Sequence, residues 1–152
     1  MAPASKYLCL ASVLGWLLLL PLFLPSAVGW KFGAPTNACF DMMPRHERIK
    51  ENTPKCPYKL ELQDEATTYI PGETLTVCVT GSLFQGFLLQ ARVVGGTLPV
   101  GTFQENLPNN TQLMKCSSDN DSVTHSNVVT KADHTCFKWK APSDDLGDLR
   151  FV

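Results

Sequence analysis

The chain has 152 residues, 13 basic and 14 acidic side chains, a formal charge of −1 and 44% hydrophobic residues. A balance this neutral supplies no field for nucleic acid, so no nucleic-acid partner is expected. The length suits one domain, and nothing in it repeats.

The first segment reads as a secretory signal peptide over residues 1–29. Lys6 gives a positive start, Leu8 to Leu24 is almost wholly apolar, and Ala27 and Gly29 place small residues before a cut at Trp30. Pro21 and Pro25 interrupt a run already near the short limit for spanning a bilayer, so an uncleaved anchor is disfavoured. No later segment approaches spanning length. The mature chain, residues 30–152, is therefore expected to be secreted and extracellular, with a charge of about −2 once Lys6 is gone.

From Trp30 to Pro57, Pro35, Pro44, Pro54 and Pro57 exclude long helices and central strands, leaving an irregular N-terminal arm. Arg45, Arg48, Lys50, Lys55 and Lys59 outnumber Glu47 and Glu51 there, read as a solvated loop rather than a polyanion site. Tyr58 to Gln63 alternates as a short strand. Pro71-Gly72 is a turn pair, and Glu73 to Thr80 alternates Leu75, Val77 and Val79 with polar residues. Gly86 to Val94 carries an apolar run suited to a sandwich core. Short strands follow at Val100–Phe103, Thr111–Cys116 and, as an edge strand, Val123–Ser126. Thr135–Lys140 is a clear strand that buries Phe137 and Trp139. Asp148 to Val152 begins a last one. Seven or eight short strands with turns between them predict an all-β, antiparallel, immunoglobulin-like sandwich.

Several words in this chain resemble the reelin (reeler) domain, an extracellular β-sandwich module. They are Gly33-Ala34-Pro35, Ala38-Cys39, Met43-Pro44-Arg45-His46, the run from Pro71 through Val77, Phe84 through Arg92, Leu113 through Cys116, Val123 through Ser126, and Phe137 through Pro142. Together they cover Phe32 to Val152 in the family's order. Within that family the chain looks like the short secreted defense proteins of insects and the N-terminal ectodomain of ferric-chelate reductase. The resemblance implies a bridge between Cys39 and Cys116. It also implies a final strand longer than Leu149–Val152, so that strand is expected to be incomplete.

Five cysteines remain after the leader, and in an oxidising compartment disulfides are expected. No two have zinc-site spacing. Cys78 and Cys136 depart from the family's common pattern. Strand parity places both away from the core, with threonines and lysines, which allows a surface cross-strand bridge and leaves Cys56 over.

No nucleophile elbow, phosphate loop or metalloprotease motif appears, so no catalysis and no cofactor are expected. His46, His125 and Asp41 would suit a transition metal, but hydrogen-bonded loop histidines are the preferred reading. Asn109 and Asn120 each open an N-glycosylation sequon. The expected function is a secreted binding protein of innate defence, recognising a microbial surface or host matrix component. The alternatives are an ectodomain fragment of a ferric-chelate reductase-like membrane oxidoreductase and a matrix interaction module.

Overall fold

A computed structural model describes residues 30–44 and 56–152. The signal peptide expected over 1–29, His46 and the basic cluster except Lys59 lie outside the described residues.

Among the described residues, eight strands form two antiparallel four-stranded sheets. In chain order they are β1 (Lys59–Leu62), β2 (Thr74–Thr80), β3 (Leu88–Val93), β4 (Thr102–Phe103), β5 (Thr111–Met114), β6 (Ser122–His125), β7 (Thr135–Lys140) and β8 (Leu149–Phe151). The first sheet runs β1-β2-β7-β4 and the second β5-β6-β3-β8. This is the sandwich that the alternation predicts. A one-turn helix, α1 (Ala38–Asp41), sits in the N-terminal arm.

Period-two alternation sets the core. Val77 and Val79 from β2, Phe137 and Trp139 from β7, Leu89 and Ala91 from β3, and Val123 from β6 face one another across the sheets. Burying one such large apolar side chain contributes roughly 1.5–3 kcal/mol. Trp139 is fully buried, and its indole N–H donates to the Val100 carbonyl at 3.0 Å, so the one polar atom of the ring is satisfied. Gly101 has φ +69°, and a Cβ there would run into the Trp139 ring and the Lys140 carbonyl. Only glycine fits that crossing.

Two expectations are corrected. The Val123–Ser126 segment is not an edge strand: β6 lies between β5 and β3, and all four of its residues are buried. Four residues are too few for periodicity to separate an edge strand from one covered on both faces. Cys78, expected on a solvent-facing side, is only 2% exposed. It stands in a central strand, opposite Glu61 on β1 and Cys136 on β7, and those neighbours close over it. Cys136 itself is half-buried and Lys138 and Lys140 are exposed, as parity predicts.

At the other sheet's edge, β8 pairs with β3 through Phe151–Ala91, Arg150–Arg92 and Leu149–Val93. Val152 then exchanges both backbone hydrogen bonds with Gln90.

Candidate functional site

The N-terminal arm lies across the outer face of the second sheet. Leu88, Gln90 and Arg92 share that face of β3, opposite to Leu89 and Ala91, and β6 adds Ser122 and Thr124 in register with Gln90 and Leu88. Polar side chains here meet backbone groups of the arm. Thr124 Oγ1 accepts the Ala34 N–H at 2.9 Å, and Gln112 Nε2 donates to the Phe32 carbonyl at 2.8 Å. Arg92 donates to the carbonyls of Phe40 (2.9 Å) and Cys39 (2.5 Å) and to Gln90 Oε1. Burial and the nearby Arg150 lower the Arg92 pKa, while Asp41 acts in the opposite sense.

A buried polar chain continues from there. Gln90 Nε2 donates to Ser122 Oγ at 3.0 Å and approaches Cys116 Sγ at 3.1 Å. Ser122 Oγ donates to Asp121 Oδ1, and Asp121 accepts the backbone N–H groups of Cys116, Ser117 and Ser118. Burial pushes the Asp121 carboxyl up, but those N–H groups and the Ser117 hydroxyl outweigh it and hold it below the ordinary range. The Cys39–Cys116 disulfide crosses the same layer, with Cα atoms 5.5 Å apart.

At the arm's start, His125 is buried and uses both ring nitrogens. Nε2 lies 2.7 Å from the Trp30 carbonyl and so carries the proton, and Nδ1 lies 3.2 Å from the Phe87 N–H, which it accepts. Beside this ring, between the arm and the loop before β3, is an apolar groove of about 470 Å³. Trp30, Met42, Met43, Phe87, Leu88 and Val128 are the large apolar side chains in its wall. Trp30, Met43 and Val128 are exposed at its rim. Behind Val128 the loop is wrapped on Lys131, whose buried Nζ donates to the carbonyls of Asn127 and Val129. Burial lowers the pKa of that amine.

The remaining predicted residues are dispersed. Asp41 ends α1 and accepts the Met43 N–H at 3.0 Å. Of the expected metal set, His46 lies outside the described residues, and both His125 nitrogens have backbone partners. Among the described residues, one cluster holds three potential metal donors: Cys78, Cys136 and His134. Cys78 and Cys136 are joined as a disulfide with Cα atoms 4.0 Å apart, so neither offers a thiolate. Cys56 is a free, exposed thiol. Asn109 is exposed and Asn120 half-buried. No described helix is long and apolar enough to cross a membrane.

Sequence reasoning missed Gln90, Arg92, Asp121 and Lys131 as structural polar residues. For Gln90 and Arg92 a signal existed: two long polar side chains on one face of a strand otherwise apolar enough for a sandwich core. A face like that needs a partner.

The pattern profile of the Reeler domain matches residues 37–152. Among known proteins, the chain is 34% identical over 136 residues to the "Putative defense protein Hdd11" of Hyphantria cunea, covering 84% of this chain and 79% of that protein. It is also 34% identical over 128 residues to the "Putative ferric-chelate reductase 1" of Danio rerio, covering 80% of this chain but only 21% of that protein. Among solved structures, a human F-spondin reeler domain superposes with a TM-score of 0.54 at 24% identity, over 74% of this chain and 83% of that one, and this likeness concerns the fold alone. With the profile spanning most of its length and a relative this similar matched over most of its own, the chain belongs to the Reeler domain family.

Proposed function

We propose that this protein is an extracellular, non-catalytic binding protein of innate defence, and that it takes an apolar portion of a microbial-surface component into the groove beside His125. The observation that carries the reading is the groove itself, preformed and walled by methionine and aromatic side chains, of a size usual for ligand sites. Methionines adapt to ligands of irregular shape, which suits recognition of a variable surface. His125, the titratable side chain on the wall, is held by backbone partners on both nitrogens, which favours binding over chemistry. The relatives named as defense proteins supply the biological context.

The test is secretion followed by binding. Protein recovered from the medium is incubated with lipopolysaccharide, lipoteichoic acid and peptidoglycan, and with heparin and collagen as matrix comparators. Binding to a microbial component weakened at least tenfold by Met43→Glu and Val128→Arg, with unchanged unfolding midpoints, is the expected result. Binding that survives both substitutions overturns the groove as the site, and preference for heparin or collagen overturns the microbial reading in favour of a matrix module.

A second reading has its own support. Identity of 34% to a ferric-chelate reductase over about a fifth of that protein's length fits an ectodomain of a longer membrane oxidoreductase. A transcript continuing past Val152 into a redox module and transmembrane helices would establish it.

A further inference from the structure

We propose that Asn109 accepts an N-linked oligosaccharide standing at the rim of the apolar groove, and that the second sequon, at Asn120, stays unmodified. The two sequons look alike in one dimension and differ in the fold. Asn109 is exposed in the turn before β5, with no partner for its side-chain amide among the described residues. The hydroxyl of its sequon, Thr111 Oγ1, sits at the half-buried start of β5 and donates to the Pro108 carbonyl at 2.6 Å, a single local bond across the turn. Releasing that bond disturbs nothing in the core, so this sequon remains available to a transferase after the sandwich has formed.

The Asn120 sequon is built into the domain's interior. Asn120 itself is half-buried at φ +61°, and its carbonyl accepts the Phe103 N–H at 2.7 Å. Its middle residue is Asp121, 1% exposed and holding three backbone N–H groups. Its hydroxyl belongs to Ser122, fully buried between Gln90 and Asp121. Presenting this sequon requires dismantling the polar layer beside the Cys39–Cys116 bond. It is open only before folding, whereas Asn109 is open before and after.

The position of Asn109 bears on the groove. Asn110 joins the turn to the β6–β7 loop twice: its carbonyl accepts the Ser126 N–H at 3.0 Å, and its Oδ1 accepts from Asn127 Nδ2 at 2.8 Å. Val128, on the groove wall, follows directly, and Val128 and Val129 are each 53% exposed. A glycan on Asn109 therefore leaves the surface next to this apolar shoulder. In the transfer, the Asn109 amide nitrogen bonds to the anomeric carbon of a lipid-diphosphate-linked oligosaccharide. The sugar–phosphate bond breaks, the lipid diphosphate leaves with the electron pair, and the amide proton passes to a base of the transferase. Nothing is oxidised or reduced.

The proposal rests on the extracellular reading, and the experiment separates the two. The chain is expressed in eukaryotic cells with its own first 29 residues and, separately, behind an unrelated secretory leader. Secreted protein is treated with peptide N-glycosidase in ¹⁸O water and mapped by mass spectrometry. The expected result is the isotope label at residue 109 and none at 120, with Asn109→Gln abolishing the glycan mass and Asn120→Gln leaving it unchanged. Absence from the medium with the native leader alone counts against the extracellular reading. An unmodified Asn109 behind the unrelated leader, or label at residue 120, overturns the acceptor assignment.

Discussion

Arg92 Nη2 lies 2.5 Å from the carbonyl oxygen of Cys39, the residue whose sulfur is bonded to Cys116. One residue of the arm is thus fixed to the second sheet twice, through a guanidinium on β3 and through a covalent bond to the chain just after β5. The carbonyls of α1 that no helix continues to satisfy point at a charged donor in a fork geometry suited to them. The arm closes the outer face of the sheet because the sheet supplies donors where the arm has acceptors.

Removing the fork leaves those carbonyls and Gln90 Oε1 without their donor in a buried layer. Arg92→Ala is expected to cost about 3 kcal/mol, and Arg92→Lys to recover less than half of it, because a single ammonium cannot reproduce the planar fork. Urea unfolding measures the loss, and limited proteolysis should cut the N-terminal arm of both variants faster than wild type. Unchanged midpoints and digestion would show that Arg92 does not anchor the arm.

The cysteine pairing is open to direct mapping. Peptides from non-reduced protein should contain Cys39 linked to Cys116 and Cys78 linked to Cys136, while a maleimide added to native protein labels one equivalent, at Cys56. Closing loops with sequence separations of 77 and 58 residues makes each bridge worth about 4 kcal/mol on a chain-entropy argument. Replacing either pair by serines should lower stability by an amount of that order. Recovery of Cys56 in a bridge to any of the other four would refute the assignment.

Asp121 makes acid stability a readout of the polar layer. Its folded carboxyl is held below the ordinary range, so its contribution is fully present above the unfolded value of about 3.9 and is lost as pH falls through the lower folded value. Urea midpoints should therefore fall as the pH drops below about 4. Asp121→Asn should cost roughly 2–4 kcal/mol at neutral pH and flatten that acid dependence. A variant that keeps the wild-type acid slope would place its origin at other carboxylates.

His125 is expected to act as a structural clasp. His125→Ala should destabilise by about 1–2 kcal/mol through loss of the Trp30 and Phe87 partners. Elemental analysis of protein purified without chelators should find no stoichiometric copper, iron or zinc, in wild type or variant. A bound metal that disappears with His125→Ala would restore the metal reading set aside above.

Much of the sandwich is legible in the chain. Leu75, Val77 and Val79 announce one face of β2, and Phe137 and Trp139 one face of β7, because side chains alternate across a strand whatever it pairs with. Pro71-Gly72 marks a place where only particular backbone conformations fit. The site was less legible. The words that carry the family resemblance include His125 and Cys39, but not the reason that His125 binds backbone on both nitrogens.

Tertiary structure alone decided what lies across each strand. Parity puts Gln90 and Arg92 on one face, yet cannot say that Cys39, more than fifty positions away, covers it. It likewise turns Cys78 away from the core without revealing that β1 and β7 flank and bury it. The alternation of side chains is a local property of the extended backbone and is written in the sequence. Which surface becomes interior depends on the order of strands and the path of the arm, and those are set by contacts between segments that the sequence holds far apart.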